Sequence, residues 1–400
     1  MVQSGASDRF LSELQTSRQW LFEHALPLWS SRGTDLEKGG FFERLNPDAT
    51  IPDDPRRSRL VARQVYVFSK AHELGWQGPA LDRVDHGLDF LLSKCIRTDG
   101  RLVASVDANG AVIDDSVTLY DYAFALFALA AASRVRPERA PALEAQALSL
   151  LETLDTDHRS PDGRGYQDDV AILKSNPHMH LLEASIAWSK VSQAPRWTAL
   201  ANKLSDLCTQ SFIDPACHAV REYFDLDWSP LNGAGQVDIE PGHQFEWAWL
   251  LMDWASLSGR TELLAQAKRI YRTGEDFGVS AQGLAVNTIG AEKSVLDDRH
   301  RLWPQTERLK AKTSWVKLAD ASTAPSSLNG VSDALVSLRR YFDHPIKGAW
   351  WEHLDTDGQP AQEPSRASSL YHIICALLEA DSLRPVAESA SRATASACAS

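Results

Sequence analysis

The feature that most constrains the fold is a regular beat in the chain. Apolar residues recur at helical spacing almost throughout, as in RLVARQVYVFSKAHEL (59–74) and SVTLYDYAFALFALAAAS (116–133). Marking each such run predicts about twelve helices, starting near residues 8, 59, 80, 117, 139, 177, 196, 240, 260, 303, 326 and 366. Between the members of each pair lies a non-helical stretch, at 39–50, 100–112, 163–172, 220–228, 283–290 and 348–358, and these starts are spaced by roughly sixty residues. A helical hairpin cannot bury its apolar face alone, so six in series close into a ring with an inner and an outer circle of helices. The expected fold is therefore all-α, an (α/α)6 barrel of six helical hairpins with short β-hairpin loops at one end. A single catalytic domain is expected over 8–383. The tail 384–400, small, polar and without periodicity, is expected to be disordered.

Charge narrows the partners. With 53 acidic against 41 basic residues the net charge is -12, and no Lys/Arg block stands out. A surface that tracks nucleic-acid phosphates is disfavoured, and a small neutral or cationic molecule fits better. No apolar run is long enough for a bilayer, and MVQSGASDRF at the start lacks the apolar core of a secretion signal. The expectation is a cytoplasmic protein without membrane partners, a monomer or homodimer. Its five cysteines are scattered and form no C-x-x-C, so neither a disulfide framework nor a zinc knuckle is indicated.

Chemically capable residues keep the phase of the repeat. Arg63, Asp121, His180, His243, Glu307 and His372 are separated by 58, 59, 63, 64 and 65 positions, each in the first turns of an inner helix. Such phasing places them around one mouth of the ring. Asn176 followed by Pro177 reads as an N-cap and first-turn proline, and Pro241 plays the same part before His243. Helix N-termini gathered at one mouth favour negative charge developing on a ligand oxygen.

The stretch SNPHMHLLEA (175–184) sharpens the question of what the mouth does. His178 and His180 are two apart, on nearly opposite helix faces, and cannot easily share one ion. His180 and Glu183 are three apart and neighbours, as are His243 and Glu246, so a carboxylate stands ready to fix an imidazole tautomer. A surface ion pair would explain one such motif; agreement in phase favours catalysis. A metal held by histidines from separate helices stays open, although no H-E-x-x-H supports it. No phosphate-binding loop is present, and no cofactor is expected. Arg63 either forks hydrogen bonds to substrate oxygens or pairs with Asp121. Trp247, Trp249, Trp303, Trp315, Trp350 and Trp351 flank the mouth in sequence, and aromatic faces suit sugar C–H surfaces as well as they suit a core.

The segments ARQVYVFS (62–69), NPHMHLLEA (176–184), GHQFEWAWLL (242–251), WPQTE (303–307) and SSLYHI (368–373) together resemble the N-acylglucosamine 2-epimerase superfamily, with NPHMHLLEA most like its mannose isomerase branch. The resemblance spans residues 10–382 and implies the same barrel. It implies metal-independent proton transfer on an unphosphorylated aldose, in which Arg63 binds sugar oxygens and His180 holds the sugar and assists ring opening. His243, Glu246 and His372 would move the proton, with His372 the base at C2. Asn176 and Glu183 would support them, and Trp303 and Glu307 would complete the sugar site, to which the phase of the repeat adds Asp121.

The chemistry agrees: removing a proton beside a carbonyl gives an enediolate, which needs a base near neutral pH and donors for the oxyanion. One base moving a proton between C2 and C1 makes a ketose; donors on both faces invert C2. The resemblance favours D-mannose/D-fructose isomerisation through a cis-enediol. The alternatives are a sugar 2-epimerase, a glycoside hydrolase using Glu246 and Glu307 as its two carboxylates, and a sugar-binding scaffold without turnover.

Overall fold

The computed structural model describes residues 2–168, 171–231, 233, 238–319 and 324–398. In chain order, α1 (Val2–Trp20) runs through a π-helical turn, Leu21–Ala25, into α2 (Leu26–Ser31). There follow α3 (Ser58–Glu73), α4 (Ala80–Phe90), α5 (Leu119–Val135), α6 (Ala140–Asp157), α7 (Ser175–Ser189) and α8 (Pro195–Leu207). The second half contains α9 (Pro241–Ser258), α10 (Leu263–Phe277), α11 (Leu302–Lys317), α12 (Ala324–Arg339), α13 (Ser369–Asp381) and α14 (Arg384–Cys398).

Helices α3, α5, α7, α9, α11 and α13 pack one on the next, and α13 returns to α3. Composition decides which helices go inside. From Leu119 to Ser133 in α5 every residue but Tyr120 is buried, as a helix apolar on all sides requires. By contrast α10 buries a single stripe, Leu263, Ala267, Ile270, Thr273 and Gly274, and lies in the outer circle. Trp188 of α7 stacks on Trp197 of α8 with centroids 5.0 Å apart, an inner-to-outer contact of about 1 kcal/mol beyond its burial. The expected (α/α)6 barrel is the fold of this chain.

The loops form short antiparallel ladders that stitch neighbouring hairpins together. The residues leading into one inner helix pair with the loop of the next repeat: Arg56–Arg57 with Ser105–Val106, Leu173–Lys174 with Tyr223–Phe224, Ile239 with Ile289, and His300–Arg301 with His353–Leu354. Ser365–Arg366 pairs with Arg44–Leu45, so the last repeat is hydrogen-bonded to the first and the ring closes.

The tail departs from expectation. Residues from Arg384 form α14, which packs on α1 with Leu383 and Ala387 buried. A helix of small side chains shows no apolar stripe in sequence, yet small residues let it lie close to its neighbour. Among the described residues no helix is long and apolar enough to cross a membrane. Cys95, Cys208, Cys217 and Cys375 are buried free thiols.

Candidate active site

A cavity of about 250 Å³ opens at the N-terminal ends of the inner helices. Arg63, Asn176, His180, His243, Glu246, Trp303 and His372 line it, so seven of the ten residues singled out from sequence meet there. Glu183 and Glu307 lie behind this wall, bonded to its histidines. Asp121 does not reach the cavity.

The two principal histidines each rest on a buried carboxylate. His372 Nδ1 lies 2.8 Å from Glu307 Oε1, and His243 Nδ1 lies 2.9 Å from Glu222 Oε1. Their electrostatics differ. Burial, helped by the positive charges of Arg63 and Lys310, holds His372 well below the ordinary imidazole range, so it is neutral at pH 7. Burial would depress His243 too, but the Glu222 and Glu240 carboxylates outweigh it and raise its pKa to about 9. One cavity thus presents a neutral imidazole and an imidazolium.

His180 packs edge-on to Tyr120, with centroids 4.8 Å apart, and lies 3.4 Å from Glu183 and 3.8 Å from Glu246. Desolvation lowers its pKa. Glu183 Oε2 in turn accepts a 2.5 Å hydrogen bond from the Tyr371 hydroxyl. Arg63 donates to the Tyr120 hydroxyl, and its guanidinium lies 4.1 Å from the Phe124 ring centroid and 5.2 Å from that of Tyr371. Aromatic walls fix this fork in the cavity and leave its charge largely unneutralised.

Several expectations need correction. Asp121 closes a capping box with Thr118 at the start of α5 and pairs with Arg59, not Arg63. Its phase was right because helix caps repeat with the helices. Asn176 is not a cap, since α7 begins at Ser175; its Oδ1 is buried without a hydrogen-bond partner among the described residues, beside the cavity. The carboxylate that orients His243 is Glu222, from a loop, while Glu246 lies nearer His180. Of the six tryptophans only Trp303 lines the cavity; Trp247 and Trp350 are fully buried in the core. Trp303 is brought close because position 242 is glycine: a Cβ there would fall 2.4 Å from its ring. His178, as its spacing required, faces away, accepting from Tyr166 N at Nε2 (2.9 Å) with Nδ1 on Lys174 O. Burial lowers its pKa to about 4.

Sequence reasoning missed Glu222, Glu352, Lys310, Tyr120 and Tyr371. Glu352 lines the cavity and accepts from Trp350 Nε1, Arg366 N and Ser369 Oγ, each at 2.8 Å. A signal existed: Glu222, Asn287 and Glu352 occupy the same place in successive loops, each 65 residues on.

His180, Glu183 and Glu246 bring three donor atoms within 4.8 Å of one another, a spacing that could hold an ion. Lys310 Nζ already stands 3.9 Å from Glu246 Oε1, however, and Tyr371 donates to Glu183. A divalent cation there would meet a fixed ammonium, so the donor set suits one poorly.

Comparison with known proteins agrees with this geometry. The N-acylglucosamine 2-epimerase (GlcNAc 2-epimerase) family model matches residues 40–376. The mannose-6-phosphate isomerase of Rhizobium meliloti (strain 1021) is 38% identical over 365 residues, covering 90% of this chain and 94% of that protein. The D-mannose isomerase of Marinomonas mediterranea is 23% identical over 350 residues, covering 80% and 84%. Among solved structures, the cellobiose 2-epimerase of Bacillus thermoamylovorans B4167 superposes with a TM-score of 0.83 at 21% identity, over 92% of this chain and 98% of that one. A barrel of phased helices, paired histidine–carboxylate contacts at its mouth and a family match over most of its length lead to one conclusion: this chain belongs to the N-acylglucosamine 2-epimerase family and is a sugar isomerase or epimerase.

Proposed function

We propose that this enzyme interconverts D-mannose and D-fructose by metal-independent proton transfer through a cis-enediol. The observation that carries the reading is the pairing of a neutral His372 with a protonated His243 in one cavity, the first lowered by burial and nearby cations, the second raised by Glu222 and Glu240, and each oriented through Nδ1 by a buried carboxylate. His372, with Nδ1 directed to Glu307, offers Nε2 as the base that takes the C2 proton and returns it to C1. The His243 imidazolium and the Arg63 guanidinium stabilise the oxygen that becomes negative as the enediol forms. His180 holds the ring oxygen region and assists opening, with Glu183 and Asn176 supporting it. Trp303 supplies an apolar face beside both histidines, with centroids 5.0 Å from His243 and 6.1 Å from His372.

An unphosphorylated aldose is the substrate class. Although the Rhizobium relative is named for a sugar phosphate, Arg301 in this cavity is held by Glu240 and Asn287, and Glu240, Glu246 and Glu352 face the same space. A phosphate dianion would have to compete for Arg301 with the Glu240 carboxylate already paired to it.

One alternative keeps a specific observation. Two histidines beside Trp303 suit inversion at C2 as well as transfer to C1, and relatives include cellobiose 2-epimerases. The hydrolase reading loses its second carboxylate, because Glu307 is fully buried behind His372. The deciding experiment incubates the purified protein with mannose, and separately with mannose 6-phosphate and glucose, in D2O and follows the products by NMR. Fructose carrying deuterium at C1, formed from free mannose, supports the proposal. Glucose labelled at C2 as the main product from mannose would replace it with epimerisation.

A further inference from the structure

Behind the cavity wall stands a lysine with no exposed surface. Lys310 follows Glu307 by one turn of α11; its ammonium is ion-paired with Glu307, lies 3.9 Å from Glu246 Oε1 and sits 3.8 Å from the Trp249 ring centroid. A fully buried ammonium persists only where charges around it offset lost hydration. Here Glu183 of α7, Glu246 of α9, Glu307 and the Cys375 thiol of α13 face it, and together they hold its pKa above the ordinary lysine value against the burial that would lower it. Contacts run unbroken from His372 through Glu307, Lys310 and Glu246 to His180, joining two catalytic candidates across the back of the site.

We infer that Lys310 is the positioning residue that decides which nitrogen of His372 carries the proton, and so whether a lone pair or an N–H of Nε2 faces the sugar. This rests on the reading of His372 as the base. An ionised Glu307 can only accept at Oε1, so His372 carries its proton on Nδ1 and turns an Nε2 lone pair toward the cavity. A protonated Glu307 could donate to Nδ1 instead. The ring proton would then sit on Nε2, and an N–H would point at C2 where a base is needed. Burial raises the Glu307 carboxyl above its ordinary range, toward that protonated form, and of the groups around it the contacting ammonium opposes the shift most strongly. Glu246, farther from the same ammonium and repelled by Glu307, is pushed well above the usual carboxylate range by burial first and that repulsion second. The lysine therefore acts unequally on the two carboxyls: its direct contact favours the ionised form of Glu307, which orients the base, more than that of Glu246, 3.9 Å away.

The test is the tautomer of His372, read by 15N NMR of histidine-labelled, ligand-free protein at neutral pH, its signal assigned by loss in a His372→Asn variant. The wild-type protein is expected to show an unprotonated Nε2 and a protonated Nδ1. In Lys310→Met, close in volume and without charge, the two nitrogens are expected to exchange roles, and kcat to fall on the order of 10²- to 10³-fold with little change in KM. A protonated Nε2 in the wild-type protein overturns the inference without recourse to any variant. So does a folded Lys310→Met protein with the wild-type tautomer and kcat within about threefold of wild type. Because the tautomer is read without substrate, failure of mannose as substrate would sink the proposed function and leave this result standing; kcat would then be taken on whichever sugar is turned over.

Discussion

Glu222, at the end of a short strand-forming loop, places its Oε1 2.9 Å from Nδ1 of His243 in the first turn of α9. With Glu240 it keeps that imidazole protonated up to a pH of about 9 although burial opposes it. His372, lowered well below the ordinary value of 6.5, is already neutral in the physiological range. If the cation stabilises the enediolate and the neutral ring removes the proton, kcat/KM should hold a plateau through neutral pH and fall on its alkaline side near pH 9. Glu222→Gln should bring that alkaline limb down toward the ordinary imidazole range. Stability should move in the same sense. A folded-state pKa raised above 6.5 contributes fully below that pH, and the contribution is lost as pH rises through about 9. Rate profiles and thermal melts from pH 6 to 10 on both proteins check the two claims together; an alkaline limb unmoved in Glu222→Gln would reject the pairing as its cause.

Replacing either principal histidine separates the classes of reaction. His372→Asn removes the base and His243→Asn the oxyanion partner, and each is expected to lower kcat for mannose about 10³-fold or more. A carboxylate hydrolase would retain part of its activity in both variants. Stopped assays for fructose and for hydrolysis of disaccharides on the same preparations give the comparison.

The inner ring was legible because two periods coincide in the sequence: the helical one inside each run and the repeat of about sixty residues between runs. Residues that are both on inner helices and near their starts, such as His180, His243 and His372, inherit a position from those periods alone. Glu222 inherits none of it, for it reaches His243 across 21 residues from a loop whose path depends on pairing with Leu173–Lys174. Lys310 was hidden differently. In ERLKAKTSWVK, Lys310 reads as one more solvated charge in a basic stretch, yet only Arg308 and Lys312, four apart, share a face and turn to Glu275, while Lys310, two from each, points inward at full burial. Charge that is buried by compensation looks the same in sequence as charge exposed to water.

Chelation tests the carboxylate–histidine cluster. His180, Glu183 and Glu246 have the spacing of a metal site, but Lys310 and Tyr371 occupy the electrostatic role an ion would take. Prolonged treatment with EDTA followed by gel filtration is expected to leave mannose turnover within about twofold of the untreated rate. Metal analysis by mass spectrometry should find less than one equivalent. Loss of activity on chelation, restored by a divalent ion, would contradict the metal-free mechanism and reassign the three residues as ligands.

Asp121 was drawn into the candidate set by its phase, and its contacts assign it to stability. Its Oδ2 accepts from Thr118 N at 3.0 Å and from Thr118 Oγ1 at 2.7 Å, and its Oδ1 lies 3.3 Å from Arg59. Asp121→Ala opens the first turn of α5 and leaves the half-buried Thr118 N–H without its acceptor, a loss of about 1–2 kcal/mol. Neighbouring Tyr120, which holds Arg63, is anchored through its own tilted ring contact with Phe124, centroids 4.9 Å apart, so the cavity should survive. The expected outcome is a lower melting temperature with kcat and KM for mannose unchanged within about twofold. A large rise in KM with an unaltered melt would return Asp121 to the sugar site.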